Sequence, residues 1–208
     1  MPSPPSKTAP IEFRTPPLHP WVLPHSGLSV FHGHRETTRL FHYFLPRLIE
    51  QGKHILCLDG GNRFDPLLIA RFARRPGRDS SQFDRHLRVA RAFTCFQLTE
   101  LLIRTPRLLR DFPVETLIVT ALPDLYLDED VRERAAIASF QQAMKALRAL
   151  PFPVAVFSGA DSIQTPRQRL FNLLRAQADQ VYQFTGREDG RQMLVGEKMA
   201  PQIASSRA

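Results

Sequence analysis

The chain has 208 residues, 43% of them apolar, and a formal charge of +8. That length suffices for one domain with a full core, and that apolar fraction excludes wholesale disorder. No run of about 18 apolar residues occurs, so a membrane span is not expected. The start, "MPSPPSKTAP", has no apolar core flanked by basic residues, so no secretory signal is expected either. Cys57 and Cys95 make no disulfide framework and fit a reducing cytoplasm. Lysine occurs only at Lys7, Lys53, Lys145 and Lys198, so nearly all the positive charge is arginine. Arginine offers planar bidentate contacts to phosphate, although a compositional bias toward arginine gives the same count with no ligand at all.

Residues 1–26 hold eight prolines and little periodicity, which predicts an extended arm. After it the chain alternates. "LSVFH" (28–32) reads as a strand, and "TRLFHYFLPRLIEQG" as a helix, with Leu40, Phe41, Phe44, Leu45, Leu48 and Ile49 at helical spacing and Gly52 as its stop. "HILCLD" (54–59) is a buried strand, "PLLIARFAR" (66–74) a helix, "LRVAR" (87–91) a strand and "TCFQLTELLIRTPRLL" (94–109) a helix. "VETLIVTAL" (114–122) is the most strand-like run. A helix over 128–150 opens with acids at the positive end of its dipole and sets Ile137, Phe140, Met144 and Leu147 on one face. "PVAVFS" (153–158) is a strand and "RQRLFNLLRAQA" (167–178) a helix. Residues 180–198 read as a hairpin turning at Asp189-Gly190, and 199–208 as a flexible tail. Strands alternating with helices predict a mostly parallel sheet covered on both faces and closed by an antiparallel hairpin.

Three segments in this order resemble the core of the RecA/Rad-type recombinase superfamily. "LDGGNRFDP" is similar to its strand-and-turn segment, where an aspartate precedes a catalytic glutamate and then Asp-Pro. "VARAFTCFQLTELL" is similar to its strand-to-helix segment with Arg-Ala and a Gln. "ADQVYQFTGREDGRQMLVGEK" is similar to its closing strands. The resemblance spans 27–198 and implies a three-layer RecA-like fold of the P-loop type.

It also implies an ATP site whose determinants this chain lacks. A P-loop needs Gly-x-x-x-x-Gly-Lys-[Ser/Thr], so that backbone N–H groups close on phosphate, lysine neutralises it and a hydroxyl holds magnesium. The equivalent "GHRETTRL" begins with Gly33 but is two residues short. Glu36 falls in the second glycine's slot and Thr37 in the lysine's; Thr38 keeps the hydroxyl, and Arg35 or Arg39 can replace the charge but not the geometry. Where the family's magnesium-ordering aspartate belongs stands Thr120 or Ala121, with Asp124 beyond Pro123. With Asp59 and Asp65-Pro66 in register, Gly61 takes the catalytic glutamate's place. The resemblance therefore implies a pseudo-ATPase, binding ATP at most without hydrolysing it. The same Asp59 and Gly61 also suit a plain turn, in which an aspartate caps and a glycine supplies positive φ.

Seven arginines, Arg71, Arg74, Arg75, Arg78, Arg85, Arg88 and Arg91, fall within 21 residues, and Arg167, Arg169 and Arg175 form a second group. In the family the loop preceding that second group contacts single-stranded DNA, which makes Arg167 and Arg169 DNA-facing by resemblance. Single-strand binding needs a basic groove with stacking aromatics; Phe83 and Phe93 lie near the first group, with Phe93 expected in the core. A solvated charged face explains the same arginines. The arm, through Phe13 and Trp21, is a candidate contact for a recombinase or repair partner, for a second copy of the chain, or for its own domain. His32, His34 and His42 recur at short spacing, but no further ligand is fixed, so no metal site is expected. These readings together point to DNA repair or recombination, with an active ATPase and a pure interaction scaffold as the rivals.

Overall fold

A computed structural model describes residues 23–74, 81–159, 166–186 and 192–198. The arm with Phe13 and Trp21, the arginines Arg75 and Arg78, the hairpin turn and the tail lie outside the described residues.

Seven strands form one sheet. They are β1 (Leu28–Gly33), β2 (Ile55–Gly60), β3 (Leu87–Ala92), β4 (Thr116–Thr120), β5 (Val154–Phe157), β6 (Gln180–Gly186) and β7 (Gln192–Lys198), in the spatial order β3-β2-β4-β5-β1-β6-β7. All neighbouring pairs are parallel except β6 with β7, which is antiparallel. The helices are α1 (Phe41–Glu50), α2 (Pro66–Ala73), α3 (Ser81–His86), α4 (Cys95–Leu108), α5 (Glu133–Arg148) and α6 (Arg169–Gln177).

The pleat sorts alternate strand residues to two cores. Val30, Leu58, Val119 and Val156 face Leu98, Leu102, Phe140, Met144 and Phe171 of α4, α5 and α6. Phe31, Cys57, Ile118 and Phe157 face Phe41, Phe44, Ile49, Ile69 and Phe72 of α1 and α2. Because the central strands are buried on both faces, they read as unbroken apolar runs rather than alternating ones.

Three boundaries differ from the sequence reading, each for a local reason. The acids 128–130 precede α5, which begins at Glu133; Asp128 turns the chain by accepting from the Asp130 N–H at 3.0 Å. Thr37 and Thr38 belong to a separate 3-10 helix, Arg35–Arg39, ahead of α1. Helix α3 is too short to show a period in sequence, and only Phe83 anchors it.

Candidate functional site at the carboxyl ends of the strands

In an open parallel sheet, ligands bind beyond the carboxyl ends of the strands. Here β1, β2, β4 and β5 end side by side, carrying Gly33, Asp59, Thr120 and Phe157-Ser158.

Asp59 is fully buried. Its Oδ1 accepts from the Arg63 N–H at 2.7 Å and its Oδ2 from the Phe64 N–H at 3.0 Å. The Thr120 hydroxyl lies 3.2 Å from Asp59 Oδ1 and 3.0 Å from the Gly60 carbonyl. Arg91 Nε stands 3.6 Å from Asp59 Oδ2. The carboxylate is thus consumed by the turn that it caps, with a hydroxyl from the neighbouring strand end. Gly60 permits the close approach, because a Cβ there would sit 2.5 Å from the Thr120 carbonyl oxygen. Gly61 has φ +79°, a conformation that glycine adopts freely and a glutamate would not.

Asp124 extends the same row. Its carboxyl accepts from the Ser158 hydroxyl at 2.7 Å and from the Gly159 N–H at 2.8 Å, bridging the ends of β4 and β5. Burial pushes its pKa above the ordinary carboxyl range, while both hydrogen bonds and the nearby Arg63 charge work against that rise.

The β1–α1 loop closes on itself. His34 Nδ1 accepts from the Glu36 N–H at 3.1 Å, and the His34 carbonyl accepts from the Thr37 N–H at 2.9 Å. Gly33 lies against β6, where a Cβ would meet the Phe184 carbonyl oxygen at 2.3 Å. Thr37 and Thr38 are buried, and the Thr37 hydroxyl has no hydrogen-bond partner among the described residues. N–H groups that a P-loop would aim at a phosphate are spent within the 3-10 helix. With the Glu36 and Thr37 N–H groups bonded to His34, the loop does not form the phosphate nest of a nucleoside triphosphate site.

The three histidines serve separate structural roles. His32 bonds Glu197 of β7 at 2.9 Å, and His34 caps the 3-10 helix. His42 donates from Nδ1 to the Arg39 carbonyl and accepts at Nε2 from the Asp65 N–H, both at 2.8 Å. That pair of bonds requires the neutral ring, and burial lowers its pKa.

Among the described residues, the two arginine groups do not converge. Arg71 and Arg74 on α2, Arg85 on α3, and Arg88 and Arg91 on β3 are exposed along the β3 edge of the sheet. Arg167 is turned inward at 8% exposure and donates to the carbonyls of Tyr126, Asp128 and Val131, which pins the β4–α5 connection instead of facing a nucleic acid. Arg169 is exposed but pairs with Glu133 at 2.6 Å, on the helices of the opposite face. The two phenylalanines exchange the roles expected of them. Phe83 is buried at 7%, whereas Phe93 is 63% exposed because β3 ends at Ala92 and α4 has not yet begun.

No protein-family model matches this chain, and no curated protein matches it in sequence.

Proposed function

We propose that the chain is a catalytically inactive, RecA-like accessory protein of DNA repair or recombination, acting by binding single-stranded DNA, a recombinase or another repair protein. The observation that carries this reading is the state of the strand ends. Several positions where the resemblance implies ATPase chemistry hold groups tied into the scaffold. The β1–α1 loop spends its N–H groups on His34, Gly61 occupies a left-handed turn, and Thr120 bonds Asp59.

The architecture is compatible: a mostly parallel sheet, helices on both faces and a closing antiparallel hairpin are what the resemblance implies. Asp59 lies at the end of β2 just before Gly60, Arg91-Ala92 ends β3, and Asp179, just before β6, donates its N–H to the Leu28 carbonyl at 2.8 Å. The arginines of the β3 edge supply a phosphate-binding surface of ordinary chemistry.

The test is binding to a fluorescent single-stranded oligonucleotide across a salt series, with and without magnesium-ATP. A steep salt dependence that ATP leaves unchanged supports the reading. Magnesium-dependent hydrolysis abolished by Thr38→Ala would replace it with the ATPase rival. Absence of any binding at low salt would leave a protein scaffold.

A further inference from the structure

The turn after β3 and the first turn of α4 present two aromatic rings to solvent, at the strand ends that also carry two arginines. Phe93 is 63% exposed and Phe96, one turn into α4, is 49% exposed. Exposed phenyl groups are unremarkable singly, but these are held in place. The Phe93 N–H donates to Gln97 Oε1 at 2.8 Å while the Gln97 N–H donates to Thr94 Oγ1 at 3.2 Å, a reciprocal cap that fixes the backbone around both rings.

The arginines come from two further segments. Arg91 lies two residues before Phe93 and keeps 43% of its side chain exposed. Arg63 lies on the β2–α2 turn, which is joined to this strand end by the Gly61 N–H to the Ala92 carbonyl at 3.2 Å. Two carboxylates of these strand ends are held by the turns: Asp59 bonds the Arg63 and Phe64 N–H groups and stands 3.6 Å from Arg91 Nε, and Asp124 is bonded to Ser158 and Gly159. The first turn of α4 carries no acidic residue, and Glu100, which lines a groove with Phe96, is paired with Arg104.

We propose that Phe93 and Phe96, with Arg91 and Arg63 at the same strand ends, form a stacking platform for unpaired bases, so that this rim takes single-stranded in preference to duplex nucleic acid. The inference rests on the nucleic-acid reading above and adds its location and strand preference. The physical reason is the pairing of groups: a phenyl face stacks any base that is free of its duplex, and guanidinium groups track the backbone between stacked bases. In a duplex the base faces are stacked on each other and unavailable to Phe93. Helix α2 continues the basic surface away from the platform through Arg71 and Arg74.

The experiment measures anisotropy of a labelled oligothymidylate, a duplex of equal length, and an abasic oligonucleotide of the same charge, using the full chain. The platform predicts that the base-bearing single strand binds tightest. Phe93→Ala and Phe96→Ala should each weaken it roughly tenfold without changing the salt slope, while Arg91→Ala lowers that slope by about one. Phe93→Trp should retain affinity and show indole emission quenched on binding, which separates lost stacking from lost folding. If the abasic strand binds as well as oligothymidylate, or the Phe93→Ala, Phe96→Ala double variant binds like the parent, the platform is wrong while nucleic-acid binding survives. If the parent binds none of the three at low salt, the nucleic-acid reading itself falls and the platform falls with it.

Discussion

The Thr120 hydroxyl stands 3.2 Å from Asp59 Oδ1 and joins the carboxyl ends of β4 and β2, a place where an active site would otherwise open. Both residues are fully buried, so the contact holds the two strand ends together. Thr120→Val keeps the shape and removes the hydroxyl. It should cost about 1–2 kcal/mol, read as a lower denaturant midpoint at unchanged m value. Thr120→Asp should cost more, because it sets a second carboxylate against Asp59 in a dry site. An acid placed here should therefore destabilise the protein.

The glycine pair makes a graded prediction. Gly61→Ala forces a side chain onto a φ of +79° and should lose about 1–2 kcal/mol. Gly60→Ala should lose more, since its Cβ would sit 2.5 Å from a backbone oxygen that cannot move without parting β2 from β4. Thermal denaturation of the two variants gives the order directly.

The second arginine group separates stability from binding. Arg167→Ala removes the donors to three carbonyls of the β4–α5 connection and should cost about 2–4 kcal/mol, as expected for buried charged hydrogen bonds. Arg169→Ala breaks an exposed pair and should change stability by at most about 0.5 kcal/mol. Neither should alter the salt slope of oligonucleotide binding; equal stability of the two variants would contradict the assignment.

The chain's periodicity carries the fold well but its chemistry less so. Strands β1, β2, β4 and β5 are runs of apolar residues bounded by glycine, proline or acid, and burial on both faces is why they read so plainly. Asp65-Pro66 announces α2, since an aspartate caps by accepting from the Leu67 N–H while proline needs no partner at the first helical position. Side-chain direction is where sequence fails. Arg167 and Arg169 are two residues apart on a 3-10 helix running into α6, and only tertiary packing turns one inward. Phe93 looks like core by composition, yet it lies between the last strand residue and the cap of α4, where neither sheet nor helix can cover it. A spacing cue was present for it in Thr94 and Gln97, the cap pattern that places α4's start at Cys95.

His42 gives the protein an acid sensitivity of known sign. Its Nε2 accepts from the Asp65 N–H, so protonation breaks that bond, and burial lowers the ring's pKa in the folded state below the ordinary 6.5. The unfolded chain then binds more protons than the folded one below pH 6.5, and stability falls as pH drops from there toward the folded pKa. Denaturant midpoints measured at about pH 7.5 and about pH 5.5 should decline for the parent. The decline should be smaller in His42→Gln, whose amide can still accept from Asp65.

The central claim is that the strand ends have exchanged nucleotide chemistry for scaffold while the arginine edge binds nucleic acid. The most direct measurement is equilibrium binding to a single-stranded oligonucleotide across a salt series, with and without magnesium-ATP, with phosphate release followed in the same samples. The account predicts binding that weakens steeply with salt, no change on adding ATP and no phosphate released. Binding that requires ATP, or hydrolysis above background, would contradict it.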